Sequence, residues 1–229
     1  MKRTARLLGL IVVAALALGG VLGAAQATTF GHKYLRVNFC CNNEGLYGTK
    51  ASMYTPVSAG DLTFPTKDCF AARSDAEIES PVVDIQTGWV RCATGANVEG
   101  TCSLTNNLVN YVETHPNGGI WTCYPMGSVG YNVETLYTVK QSGSTWYAWI
   151  AGVQDTHGVA MGGAEYLIEG AEWTGGCDNF NGYADYAMAI TWQRWRPSQV
   201  WYQVQSSSTL LNCGWTASGG PPSSFSFDH

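Results

Sequence analysis

The chain has 229 residues, with 12 Lys and Arg against 17 Asp and Glu and a formal charge of −5. That balance disfavours nucleic acid and anionic membrane surfaces as partners. Nine Trp and twelve Tyr supply enough apolar bulk for one real core in a chain of this length.

Residues 1–27 read as a secretory signal peptide. Lys2, Arg3 and Arg6 precede an apolar run, which closes on Ala25-Gln26-Ala27, small residues where a signal peptidase reads. A retained membrane anchor is the competing reading, but glycines break the run and the A-x-A site is well placed. Cleavage would leave residues 28–229 as one secreted, extracellular domain with no membrane contact. Loss of the three leader cations takes its formal charge from −5 to about −8. All eight cysteines lie in this part, and an even set in an oxidising compartment predicts four disulfides and no free thiol. Cys92 with Cys102, closing the loop "ATGANVEGT", is the expected pair. Adjacent Cys40 and Cys41 are expected to take different partners. There is no C-x-x-C, so a cysteine zinc site is not expected.

Along the chain the dominant period is two. In "VVDIQTGWVR", Val83, Ile85, Thr87 and Trp89 alternate with Asp84, Gln86 and Gly88. "LTNNLVNYVE", 104–113, comes nearest to a helical stripe and fits a strand equally well. "TLYTVKQSGSTWYAWIAG" reads as two strands joined by a Gln-Ser-Gly-Ser turn, with Trp146, Ala148 and Ile150 on one face and Tyr147 and Trp149 on the other. "ADYAMAITWQRW" alternates, and in "QVWYQVQS" Val200, Tyr202 and Val204 oppose Trp201. Residues 82–91, 136–151 and 184–205 are therefore predicted to be mainly strand, in an all-β, disulfide-bonded antiparallel sandwich of jelly-roll or concanavalin-like type. The last stretch, 216–229, reads as a loose tail or an edge extension.

Few chemistries fit. A nucleophilic triad needs a histidine base, yet His115 and His157 sit in turn-like contexts and read as surface loop residues, and no G-x-S-x-G occurs. H-E-x-x-H is absent. Asp178, Asn179, Asn181 and Asp185 offer the oxygens of a calcium loop, but turn chemistry explains them as well. No cofactor and no metal is expected. What remains is carboxylate chemistry from Glu79, Asp84, Glu113, Glu165, Glu169 and Glu172, although the close spacing E-x-D-x-x-E of many glycosidases is missing.

"VVDIQTGWV" resembles the "lQtGv" strand of the glutamic peptidases called eqolisins, and "GAEWTGG" resembles their "AEWi" strand. A related plan with an "iQvGW" strand occurs in neprosin-like secreted proteins, which use two glutamates. The eqolisin resemblance implies a catalytic dyad of Gln86 and Glu172 on a β-sandwich, acid-range hydrolysis of a polypeptide substrate, and no cofactor. Two departures stand out. The family's Trp-x-Gly segment is replaced by "CFAARSDAE", and its "YEWYP" strand is matched at best by "IWTCYP", with Thr122 in place of the acid. If the pair acts together, its side-chain heads should lie about one water apart, roughly 3 to 6 Å, in a groove open to solvent, with Asp84 on the same face. The alternative is a non-catalytic carbohydrate-binding protein, with polysaccharide as partner and the rings of Trp149 and Trp201 outside the core, or a structural secreted protein.

Overall fold

The computed structural model describes residues 31–38, 46–62, 69–93, 106–173, 188–195, 200–204, 208–211, 216–219 and 225–228. In chain order its strands are β1 (Gly31–Asn38), β2 (Gly48–Tyr54), β3 (Cys69–Glu79), β4 (Val82–Cys92), β5 (Val109–His115), β6 (Thr122–Ser128), β7 (Glu134–Ser142) and β8 (Thr145–Ile150). They continue as β9 (Val153–Ala160), β10 (Tyr166–Trp173), β11 (Met188–Trp195), β12 (Trp201–Gln203), β13 (Ser208–Leu211), β14 (Thr216–Gly219) and β15 (Phe225–Asp228). Two sheets result, β13-β1-β10-β3-β4-β5-β6 and β14-β15-β11-β2-β7-β8-β9, with β12 alongside β11. The paired strands run antiparallel. This is the predicted all-β sandwich.

Alternation decides which side chains fill the space between the sheets. Phe70, Ala72, Val83, Ile85 and Trp89 of the first sheet meet Met53, Tyr137, Val139, Trp146 and Ala148 of the second. Each large apolar side chain so buried contributes about 1.5–3 kcal/mol. The expected split of β8 holds at Trp146 and Ala148, which are buried while Tyr147 and Trp149 are half-buried; Ile150 is only partly buried, packed against the core. The stretch 104–113 gives a strand, β5, rather than a helix. The expected split of residues 200–204 does not hold. Val204 is buried, but Val200 and Tyr202 are exposed, because β12 is a three-residue strand lying off the main strand order. The C-terminal stretch holds β14, at the edge of the second sheet, and β15, between β14 and β11.

The cysteine pairing also differs from expectation. Cys92 bonds Cys69, not Cys102. The two residues face each other across the β3–β4 ladder, where a cross-strand partner is already at bonding distance, whereas Cys102 lies outside the described residues. Cys123 is disulfide-bonded too, so every described cysteine is oxidised. The other cysteines, the 1–27 leader and the Asp178–Asp185 loop lie outside the described residues.

The polar face of β4 is not a wet one. Apart from Val82 the strand is buried on both sides, and Asp84 and Gln86 are buried with it. Gly88 marks the tightest point. A Cβ there would fall 1.7 Å from the Ala72 carbonyl oxygen on β3, and backbone cannot yield as a flexible side chain can. Gly88→Ala is therefore expected to break the β3–β4 ladder. Thermal unfolding should show a loss larger than the roughly 0.5–3 kcal/mol of an ordinary substitution, or no soluble protein at all.

Candidate active site

The face of the first sheet turned away from the second carries the residues at positions 69, 71, 73, 75 and 77 of β3, since side chains alternate. Register then places Gln86 beside Asp75, Asp84 beside Glu77, Glu113 and His115 across from Gln86 and Asp84, and Glu172 across from Ala71. Asp75, Asp84, Gln86, Arg73 and Glu113 are all buried there. A cluster of Cys69, Ala71, Val90, Cys92, Val109, Tyr111 and Cys123 forms its apolar end.

Arg73 sits at the centre. Its Nη1 donates to Gln86 Oε1 at 2.9 Å and to Glu172 Oε2 at 2.5 Å. Gln86 and Glu172 come from strands that β3 separates, yet their oxygens can be no further apart than these two bonds laid end to end. That falls within the expected 3 to 6 Å, but a guanidinium nitrogen occupies the bridging position rather than water. The orientation of the Gln86 amide follows from its neighbours. Arg73 can only donate, so it faces the amide oxygen, which also accepts from the Tyr111 hydroxyl at 3.3 Å. The amide nitrogen donates to Glu113 Oε2 at 2.5 Å. One amide hydrogen of Gln86 remains for a further acceptor. Gln86 itself is buried, while the Glu172 side chain is 19% exposed, so access is from the Glu172 side. A cavity of about 10 Å³ opens there, lined by Tyr111, Glu113, Glu172 and Cys123 among others, room for about one water.

Behind Arg73 lie further acids. Arg73 Nη2 is 3.5 Å from Asp75 Oδ2. Both Asp75 oxygens and one Asp84 oxygen are buried, and the two carboxyls lie against each other. Burial pushes the Asp75 carboxyl up despite the Arg73 charge, and pushes Asp84 well up, with Asp75 adding to it. Burial also works against the Arg73 charge, but Glu172, Asp75 and Asp84 together hold it well above its usual range. Asp84 thus shares the expected face but answers to Asp75, Arg73 and Glu77 rather than to Glu172. Asp75, Glu77 and Asp84 bring ligand atoms within 4.8 Å of one another, a spacing that suits a cation; Arg73 already supplies positive charge to two of them.

The other candidates are elsewhere. Glu169, three residues before Glu172, points to the opposite face and is buried between the sheets, where it accepts from Thr49 of one and Ser74 of the other. Burial raises its carboxyl well above the usual range. Glu79 and Glu165 are tied at the surface, to Tyr166 and to the Glu79 amide. His115 and His157 stand on strands rather than in loops. His115 meets the Val82 carbonyl, and His157 meets Asp155 and stacks on Tyr124.

No protein-family profile and no curated protein matches the chain. Among solved structures it is similar to scytalido-glutamic peptidase bound to a peptide-based transition-state analog, with 10% identity and a TM-score of 0.53 over 89% of this chain and 98% of that one. A structure of scytalido-glutamic peptidase with a transition-state analog inhibitor gives 8% identity and a TM-score of 0.55 over 88% and 99%. SCP-B, a member of the eqolisin family in complex with the tripeptide Ala-Ile-His, gives 10% identity and a TM-score of 0.49 over 89% and 98%. The fold is glutamic-peptidase-like. At such identity the likeness concerns the path of the chain and not its side chains.

Sequence reasoning missed Arg73, Asp75 and Tyr111. In "CFAARSDAE" the informative feature is not the missing Trp but an Arg and an Asp two apart on one face of an apolar strand. The strand beside Gln86 is β5, which sets Glu113 against it, while Thr122 stands on β6 across from Thr114.

Proposed function

We propose that this chain is a secreted glutamic-peptidase-like hydrolase that cleaves polypeptide in acid through Gln86 and Glu172, with Arg73 as a third member. The observation that carries the reading is the convergence of both side chains on one Arg73 nitrogen. Glu172, as carboxylate, takes a proton from a water in the adjoining cavity as the water oxygen adds to the scissile carbonyl carbon, then hands that proton to the amide nitrogen as the C–N bond breaks. The acid range is the one that the eqolisin-like stretches imply. The remaining Gln86 amide hydrogen and the Arg73 guanidinium face the place where the carbonyl oxygen gains charge. Glu113 and Tyr111 hold the amide in that orientation.

The test is incubation of the protein comprising residues 28–229 with an unfolded protein substrate from about pH 3 to pH 7. Peptide products with an acid maximum are expected. No cleavage at any pH would end the reading. Arg73→Lys is expected to lower kcat on the order of a hundredfold with KM little changed, because an ammonium cannot bond Gln86 and Glu172 while a second nitrogen faces Asp75. Unchanged kcat would remove Arg73 from the mechanism.

A further inference from the structure

The outer face of the second sheet, turned away from the first, carries a groove of about 200 Å³ that the proposed hydrolysis does not use. Its walls are Trp149 of β8 and Trp201 of β12, with Thr138 of β7 between them. Two lysines complete it. Lys50 Nζ stands 4.5 Å from the centre of the Trp201 ring, and Lys140 Nζ stands 5.6 Å from that of Trp149. Alternation puts Lys50, Thr138, Lys140 and Trp149 outside, since their neighbours Ala51, Tyr137, Val139 and Ala148 are in the core, and the Lys50 contact brings Trp201 to the same face. Both indoles are half-buried, so each is held in place by the sheet and still presents surface.

The geometry points to this groove as a binding site for an acidic polysaccharide, a chain of uronic acid rings. The volume falls below the roughly 300–1,000 Å³ of pockets for drug-sized ligands and suits a polymer read one ring at a time. A pyranose has an apolar C–H face and a polar rim, and the flat indoles match the first. The lysines match a ring carboxylate, which a neutral sugar lacks. Among the described residues no carboxylate pairs with Lys50, and partial burial lowers its pKa, so a bound anion would restore what desolvation removes. The chain has five lysines in all, and two of them meet here. Glu134, the acid tied to Tyr54 on the same face, lies four residues further along the β2–β7 ladder from Lys50. That is roughly 13 Å at the strand rise, beyond the Debye length of about 8 Å at physiological salt. Among the described residues, Glu134 is thus screened from Lys50.

The test is retention of the protein on immobilised polygalacturonate, with a neutral glucan and polyglutamate as comparison columns. Retention is expected on polygalacturonate only, falling as salt rises. Trp149→Ala and Trp201→Ala should each weaken it at least tenfold, and Lys50→Gln with Lys140→Gln should do the same. All four changes should leave protein hydrolysis and the far-UV spectrum unaltered. The lysine pair keeps the test decisive should a Trp variant fold poorly. Equal retention on the glucan, equal retention on polyglutamate, no retention on polygalacturonate, or variants that bind like the parent would each overturn the assignment. The outcome is independent of whether the chain cleaves protein.

Discussion

Glu172→Gln is expected to abolish measurable acid-range hydrolysis while leaving the fold intact. The amide oxygen of a glutamine at this position still accepts from Arg73 Nη1, so the shape of the network survives. Only the proton acceptor is lost, and general acid–base groups of this kind contribute about 10²–10⁴ in rate. Gln86→Ala should cost about 10²–10³, the scale for an oxyanion donor, and more damage to structure is expected there. Gln86 is buried and satisfies Arg73, Tyr111 and Glu113 at once. The double variant should be little worse than Glu172→Gln alone, since groups acting as a unit are non-additive. Steady-state rates at the acid optimum, read beside melting temperatures, decide the matter. A Glu172→Gln protein that hydrolyses substrate at the parental rate would remove the dyad.

The fold should be more stable in acid than at neutral pH. Asp75, Asp84 and Glu169 are fully or almost fully buried, and burial raises each carboxyl in the folded protein. Unfolded, they titrate near about 3.9–4.3. Between that value and the raised folded one, the native chain binds more protons than the unfolded chain, so stability falls as pH rises. The contribution is fully present below about pH 4 and is lost as pH climbs through the folded values. Each tenfold gain in a carboxyl's proton affinity on folding is worth about 1.4 kcal/mol, and each kcal/mol moves the melting temperature of a domain this size by about 2–4 °C. Glu134 is shifted down and acts in the opposite sense, but it is fully exposed. The tyrosines and Arg73 stay protonated throughout this range. A melting temperature several degrees higher at pH 4 than at pH 7 is expected. Asp84→Asn and Glu169→Gln, which imitate the protonated acids, should flatten the profile. A profile that rises toward neutral pH would show that these carboxyls are ionised in the fold.

The sequence by itself determined the layering. Period-two alternation assigns Val83, Ile85, Trp89, Trp146 and Ala148 to the core because a strand has only two faces and one of them must leave water. The same rule, with the eqolisin-like stretches, singled out Gln86 and Glu172. It could not show that the face bearing Asp84 and Gln86 is buried as well, because alternation says which residues share a face and nothing about what covers it. It also could not find Arg73. A lone cation on a strand reads as a solvated residue until β10, β3 and β4 are set side by side and one guanidinium is seen to join two distant positions. Glu169 and Glu172 make the same point. They are three residues apart and chemically identical, yet pleating sends one between the sheets, where hydroxyls from both bind it, and the other to Arg73 at the edge of solvent. The Cys69–Cys92 bond was likewise decided by register across a ladder, a relation between strands that no loop length in the chain encodes.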